Sequence, residues 1–95
     1  MNISIIGTGY VGLVSGACFA KLNNNVVFVD IDKDKINSIN NYISPIFEDG
    51  LDNILIKYKD NIKATIDYKS SIINTEITFI CVGTPSKKTG EIDLT

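Results

Sequence analysis

The chain has 95 residues, of which 44% are hydrophobic and 21% charged, and this composition is typical of one folded domain with a single core. Its formal net charge is −2 and its basic residues are scattered, so no basic stripe is available to a nucleic-acid backbone. We therefore expect a globular domain that does not bind nucleic acid.

The first predicted elements are a strand and a helix separated by a glycine. Residues 3–6 form a short apolar run that ends at Gly7, which is typical of a strand buried on both faces of a parallel sheet. Beyond it, apolar residues recur three or four positions apart, which predicts a helix with one apolar face. That face would carry Val11, Val14, Cys18 and Leu22.

A second strand and a second helix follow in the same rhythm. The asparagines at 23–25 end the first helix, and residues 26–29 are a β-branched and aromatic run that closes at Asp30. Asp32 is placed to cap the next helix. The apolar face of that helix would carry Ile36, Ile39 and Ile43.

Shorter elements are predicted between residue 45 and the third strand. Pro45 interrupts the second helix, and residues 47–50 have the composition of a turn. A short helix should follow, carrying Leu51, Ile54, Leu55 and Tyr58.

The last predicted elements are two strands joined by a short helix. Residues 62–66 predict the third strand, and residues 67–73 one or two helical turns capped by Asp67. Residues 77–82 predict the fourth strand, which ends before Pro85, and residues 86–95 are predicted to be a polar loop.

Alternation of strands and helices predicts right-handed crossovers, and therefore a parallel sheet with helices on both faces. Four such strands make the N-terminal half of a Rossmann-type, doubly wound α/β fold, with the expected strand order 3-2-1-4. We expect residues 1–95 to be one truncated domain, because the second half of such a sheet and the helix that would cover the fourth strand are not in the sequence.

Cysteine and histidine usage narrows the possible chemistry. Cys18 and Cys81 form no Cys-x-x-Cys pair and stand among apolar residues, so both are expected to be reduced, buried and inert. The sequence has no histidine, and no metal site is expected. No secretory leader and no run of about 18 apolar residues is visible, which predicts a cytoplasmic protein without a membrane span.

Residues 7–12 read Gly-Thr-Gly-Tyr-Val-Gly and fit the pattern G-x-G-x-x-G between the first strand and the first helix. In this pattern Gly7 permits the tight turn, Gly9 lets the backbone approach a pyrophosphate, and Gly12 lets the helix pack closely on the strand. Tyr10 would lie over the pyrophosphate, at the positive end of the helix dipole. The same pattern also occurs in plain tight turns, so its position in the fold matters.

Asp30 supports the dinucleotide interpretation. It stands eighteen positions after Gly12 and ends the second strand, where a carboxylate accepts hydrogen bonds from the adenosine ribose. A 2′-phosphate would be repelled there, and no arginine follows to hold one, which favours NAD over NADP.

The whole chain resembles the UDP-glucose and GDP-mannose dehydrogenase family, because four segments occur in the family's order. They are Gly-Thr-Gly-Tyr-Val-Gly at 7–12, Val-Asp-Ile-Asp-Lys-Asp-Lys-Ile at 29–36, Ser-Pro-Ile-Phe-Glu-Asp-Gly-Leu at 44–51 and Phe-Ile-Cys-Val-Gly-Thr-Pro-Ser at 79–86.

The resemblance also implies roles for individual residues. Val11 would lie against the cofactor, Asp30 would hold the adenosine ribose with help from Lys35, and Thr84 would lie beside the nicotinamide-side ribose or the pyrophosphate. Without the resemblance, Lys35 would be taken as solvated surface. The family usually has proline where this chain has Asp49, which would loosen that loop without touching a cofactor contact.

The resemblance implies oxidation of the C6 alcohol of a nucleotide sugar to the carboxylate, with two NAD, by an enzyme that forms homo-oligomers. The family's catalytic residues would lie beyond Thr95, so no residue of this chain is assigned a catalytic role and the chain alone is expected to be inactive. Cys81 is not the family's nucleophile, because that cysteine belongs to a motif further along the chain.

Three functional alternatives remain open from the sequence. The first is a truncated dehydrogenase of this family. UDP-glucose is its expected substrate, while residues 86–94 look more like the GDP-mannose branch. A free-standing dinucleotide-binding or redox-sensing module is a second class. A third is another member of the fold, such as a 3-hydroxyacyl or 6-phosphogluconate dehydrogenase, which would not explain the segments at 44–51 and 79–86.

Overall fold

Four parallel strands form the sheet in the computed structural model, which describes residues 1–46 and 48–81. The strands are β1 (Asn2–Ile6), β2 (Asn25–Val29), β3 (Ile62–Thr65) and β4 (Ile77–Ile80). They lie in the order β3-β2-β1-β4, which confirms the predicted order and the Rossmann-type fold. The predicted end of the fourth strand at residue 82 and the loop at 86–95 lie outside the described residues.

The helices are α1 (Tyr10–Lys21), α2 (Lys33–Asn40), α3 (Leu51–Lys57) and α4 (Tyr68–Ile73), with a 3-10 turn at Lys59–Asn61. The helices lie on both faces of the sheet. The two faces can be told apart within β1, because neighbouring residues of a strand point to opposite sides. Ile5 pairs with Phe28 on the face that α1 covers. Ser4, one position earlier in β1, donates a hydrogen bond to the carbonyl of Ser71 in α4 on the other face.

The face of α1 that packs on the sheet differs from the predicted one. Val11 and Leu22 are 62% and 71% exposed, and Cys18 is exposed as well, so the predicted burial of Cys18 is wrong. The buried residues of α1 are small except for one leucine: Gly12, Leu13, Gly16, Ala17 and Ala20. Apolar spacing identified the helix but not its face, because this contact uses glycine and alanine.

Small residues are required there because α1 lies very close to β1 and β2. A Cβ atom on Gly12 would overlap the carbonyl oxygen of Gly7, and one on Gly16 would overlap the ring of Phe28. Phe28 is fully buried and fills the space that the missing side chains leave. The predicted role of Gly12 in close packing therefore agrees with the structure.

The caps of α2 and α4 agree with the sequence. Asp32 accepts hydrogen bonds from the backbone N–H groups of Asp34 and Lys35, and Asp67 accepts one from Ser70. Ile43 is the exception, because α2 ends at Asn40 and leaves Ile43 57% exposed rather than on the buried face.

A turn precedes α3, as the sequence predicts. Gly50, with a φ of 83°, occupies the N-cap of α3 in the left-handed region that favours glycine. Asp49, where the resembling family usually has proline, lies on this exposed turn. Phe47 lies outside the described residues.

β4 lies at the edge of the sheet and is more exposed than a buried strand would be. Phe79, predicted to be core packing, is 38% exposed, although its ring stacks on that of Phe19 with centroids 5.1 Å apart. Cys81, which follows the strand, is half-buried rather than buried. Both cysteines are free thiols, as predicted. None of the helices in residues 1–46 and 48–81 has the length and apolar character needed to cross a membrane.

We expect Gly12→Ala to destabilise the domain by about 2 kcal/mol, because the backbone carbonyl that it meets cannot rotate away. Urea unfolding of the purified protein measures this. Gly9→Ala is the matched control, since a Cβ there meets nothing within 4 Å. Equal stability of the two variants would contradict the close packing of α1.

Candidate functional site

A cleft of about 500 Å³ opens where β1 and β2 end. Its lining includes Gly7, Thr8, Gly9, Asp30, Lys35 and Tyr68. We refer to these residues and the space between them as the glycine-loop cleft. The position agrees with the general location of ligand sites in open α/β sheets, outside the carboxyl ends of the strands.

The glycine loop turns sharply from β1 into α1. Gly7 has a φ of 104°, a conformation that other residues rarely adopt, and its N–H donates to the carbonyl of Val29 at 2.8 Å. This bond ties the start of the loop to the end of β2. Gly7 is therefore a glycine for conformational reasons, as predicted.

Gly9 is a glycine for a different reason. Its φ of −76° and ψ of −169° suit any residue, and the chain itself leaves the space beside it open. It caps the twelve-residue helix α1 without a side chain, and no acidic residue stands in the first turn of that helix. A phosphate would find backbone N–H groups, the positive end of the dipole and no competing carboxylate there.

Asp30 closes the other side of the cleft and is bound to the glycine loop. Its Oδ2 accepts a hydrogen bond from the Thr8 hydroxyl at 2.6 Å and another from the Thr8 N–H at 2.9 Å. Its Oδ1 accepts one from the N–H of Asp32 at 3.0 Å. These three donors fix the carboxylate at the end of β2.

The same contacts keep Asp30 ionised. Burial by itself raises the pKa of Asp30, but the Thr8 hydroxyl and the N–H groups of Asp32 and Thr8 lower it, as does the charge of Lys35. The lowering effects are larger together, so the pKa of Asp30 lies below its ordinary value. A fixed negative charge therefore faces the cleft at neutral pH.

The structure gathers some of the predicted site residues and leaves others apart. Gly7, Gly9, Asp30 and Lys35 line one cleft. Tyr10 and Val11 begin α1 and are 58% and 62% exposed, outside that lining. Gly12 is buried on the side of α1 that faces the sheet, and Thr84 lies outside the described residues.

Thr8 and Ile31 are among the residues of the cleft that the sequence did not predict. Thr8 is fully buried and bound to Asp30, and Ile31 lines the cleft while being 91% exposed. A hydroxyl between the two glycines, paired with a carboxylate at the end of the neighbouring strand, was the available signal for Thr8. Ile31 also had a signal in the sequence, because it is an apolar residue that stands between two aspartates just after an apolar strand.

A glycine loop that opens a helix, with a carboxylate fixed at the end of the next strand, defines a dinucleotide-binding domain of the Rossmann type. The residues fit such a cofactor, because the open space at Gly9 and the ionised Asp30 suit a pyrophosphate and a ribose. Among the described residues, no group of three or more histidine, cysteine, aspartate or glutamate side chains could hold a metal ion.

Comparison with known proteins identifies the family within this class of dinucleotide-binding domains. Residues 1–95 match the model of the UDP-glucose/GDP-mannose dehydrogenase family, NAD binding domain. The chain is 50% identical to UDP-glucose 6-dehydrogenase TuaD of Bacillus subtilis and 43% identical to GDP-mannose 6-dehydrogenase of Pseudomonas aeruginosa, covering 99% of this chain in both cases. A crystal structure of a ternary complex of the Pseudomonas aeruginosa GDP-mannose dehydrogenase superposes with a TM-score of 0.94, at 43% identity over 99% of this chain and 22% of that one.

The chain belongs to the UDP-glucose/GDP-mannose dehydrogenase family and matches its NAD-binding domain, with NAD as the cofactor. Members of this family are NAD-dependent nucleotide-sugar dehydrogenases. The chain spans 21% and 22% of the length of the two relatives named above. Both kinds of substrate occur among the relatives, so membership does not choose between UDP-glucose and GDP-mannose.

We expect Asp30→Asn to lower stability by about 1–2 kcal/mol at pH 7, since asparagine keeps one acceptor oxygen where the carboxylate has two, and its NH2 group would face an N–H or O–H donor instead of accepting from it. A lowered folded-state pKa stabilises the fold fully above the pKa of an unfolded aspartate, and this contribution is lost as the pH falls through the folded pKa. The difference between wild type and variant should therefore shrink below about pH 4.

Urea unfolding between about pH 7 and pH 3 measures this difference across the acid range in which aspartates titrate. Asp49→Asn, on an exposed turn, controls for the loss of one charge. A difference that stays constant throughout the acid range would show that the Asp30 carboxylate does not stabilise the glycine loop through its charge.

Proposed function

We propose that the protein that carries this domain oxidises the C6 alcohol of UDP-glucose to the carboxylate of UDP-glucuronate, using two NAD. The observation that carries the proposal is the glycine-loop cleft, with open space at Gly9 opposite a fixed Asp30, in a chain of this family. UDP-glucose is placed first because the identity to the Bacillus subtilis enzyme is the higher of the two. GDP-mannose is the alternative substrate, and the resemblance of residues 86–94 to the GDP-mannose branch of the family favours it.

In this proposal the pyrophosphate lies over Gly9 and the first turn of α1. The backbone N–H groups of Tyr10 and Val11 stand at the start of the helix, where intrahelical acceptors are absent. Both side chains are exposed and free to lie against the cofactor. The glycine at position 9 then has a purpose that its own backbone conformation does not require.

The adenosine end would lie at the opposite side of the cleft. Asp30 Oδ1, which accepts one hydrogen bond from within the chain, has capacity left for a ribose hydroxyl. Lys35 lines the same cleft and would assist at that ribose. Ile31 and Ile66 offer apolar surface for the adenine, being 91% and 48% exposed within the lining. Thr84 keeps its proposed place near the nicotinamide-side ribose or the pyrophosphate.

The described residues hold the cofactor and supply no nucleophile or base for the reaction. Bound NAD supplies the oxidising power for each of the two steps from alcohol to carboxylate. We propose that the nucleophile, the base and most of the sugar-nucleotide pocket belong to parts of the protein outside residues 1–95. This placement is supported by the coverage of the relatives, because the chain spans 21% and 22% of the length of the two named above.

We expect Gly9→Val to abolish NAD binding without unfolding the domain, because the valine side chain would occupy the space proposed for the pyrophosphate. Isothermal titration calorimetry with NAD measures binding, and thermal unfolding checks the fold. Val11→Ala, which shortens an exposed side chain in the first turn, is a milder comparison. Equal NAD affinity of Gly9→Val and wild type would exclude the proposed pyrophosphate position.

The substrate is tested by following NADH absorbance during oxidation of UDP-glucose and of GDP-mannose by the full-length protein. We expect turnover with UDP-glucose and about two NADH formed per sugar, as a two-step oxidation of an alcohol to an acid requires. Turnover with GDP-mannose alone would establish the alternative. Absence of turnover with both, in a protein that binds NAD, would overturn the proposed reaction and leave the cofactor site standing.

A further inference from the structure

Thr8 is the residue between the first two glycines of the loop, and it donates two hydrogen bonds to Asp30. It is fully buried at the edge of a solvent-open cleft, which is costly for a hydroxyl that lacks a partner. Its partner is Asp30, at 2.6 Å from the hydroxyl, and its own N–H donates to the same carboxylate oxygen at 2.9 Å. The side chain and the backbone of one residue therefore hold one oxygen of Asp30.

This arrangement determines which oxygen of Asp30 is available to a ligand. Each carboxylate oxygen has about two acceptor positions. Oδ2 uses both on Thr8, while Oδ1 uses one on the N–H of Asp32. The remaining acceptor position is on Oδ1, so Thr8 presents that oxygen to the cleft and prevents the carboxylate from turning.

We propose that Thr8 is a positioning residue that sets the preference of the cleft for a dinucleotide with a free 2′-hydroxyl over its 2′-phosphorylated form. The inference rests on the proposed role of Asp30 as the ribose acceptor. A fixed Oδ1 accepts from the ribose, and a carboxylate that cannot turn away keeps its charge where a 2′-phosphate would stand. Without the Thr8 hydroxyl, only the N–H groups of Thr8 and Asp32 hold Asp30, so the carboxylate is fixed less firmly and both effects weaken.

The neighbouring charges do not replace Thr8. Lys35 lines the cleft from α2 and its charge favours the ionised form of Asp30, but it would attract a 2′-phosphate as well. Asp32 turns its own side chain to the N–H groups of α2, which leaves only its backbone for Asp30. Tyr68 and Cys81 line the cleft from α4 and from the end of β4. Selectivity against the phosphate therefore depends on Asp30 and on what holds it.

The test uses Thr8→Val, which keeps the shape and removes the hydroxyl, and Thr8→Ser, which keeps the hydroxyl. Ser4→Ala is the matched control, because Ser4 is another fully buried hydroxyl, in the strand that leads to the loop, and is bonded to Ser71 and Thr75 instead of Asp30. Calorimetry with NAD and with NADP gives both dissociation constants for each variant of the full-length protein. Asp30→Ala sets the lower limit of selectivity.

We expect Thr8→Val to weaken NAD binding about 10-fold and to reduce the preference for NAD over NADP by a similar factor, as for a lost hydrogen bond to a charged group. Thr8→Ser should retain most of the preference, and Ser4→Ala all of it. Thr8→Ala gives a second variant without steric demands if Thr8→Val does not fold.

The pH dependence of NAD binding separates positioning from a merely structural role. NAD affinity should fall as acid protonates Asp30. Removal of the Thr8 hydroxyl removes one cause of the lowered pKa of Asp30, so this fall should begin at a higher pH in Thr8→Val. An unchanged pH profile together with an unchanged NAD/NADP ratio would overturn the role of Thr8. A wild-type protein that binds neither dinucleotide would instead overturn the proposed function of the cleft.

Discussion

The close approach of α1 to the sheet is the constraint on which the rest of the site depends. Gly12 lies against the carbonyl of Gly7, and Gly16 lies against the buried ring of Phe28. Because α1 lies so close, its first turn begins directly above the end of β1. The positive end of the helix therefore faces the cleft, and a larger residue at either glycine would move it away.

Two opposite charge distributions then meet across one cleft. The start of α1 offers N–H groups without a side-chain acceptor at Gly9, and the end of β2 offers a carboxylate held by Thr8. A dinucleotide has both a pyrophosphate and a ribose with hydroxyl donors, so each end of the cleft suits a different part of it. The hydrogen bonds of Thr8 also connect the two ends mechanically, since the loop and the carboxylate cannot shift independently.

In the described part of the chain, the centre of the sheet is better covered than its β4 edge. This agrees with a chain that spans about a fifth of the length of its relatives. β1 and β2 are central and carry the core residues Ile3, Ile5, Val26 and Phe28. β4 forms an edge on which Ile80 is 72% exposed. Gly7 and Asp30 directly follow these two central strands, so their positions are set at the centre of the sheet rather than at its edge.

By itself the sequence determined the strand order, the glycine loop, Asp30 at the end of β2, and the helix caps at Asp32 and Asp67. These features depend on local residue preferences and on the right-handedness of crossovers, and both are encoded along the chain. The family followed from the same segments.

Only the tertiary structure decided which face of α1 is buried, that Cys18 and Ile43 are exposed, and that Thr8 holds Asp30. Apolar spacing gives the period of a helix, but a contact built from glycine and alanine carries no apolar signal to mark its face. The bond between Thr8 and Asp30 joins residues 22 positions apart, just past the ends of two adjacent parallel strands, and it forms only when the sheet brings the strand ends together.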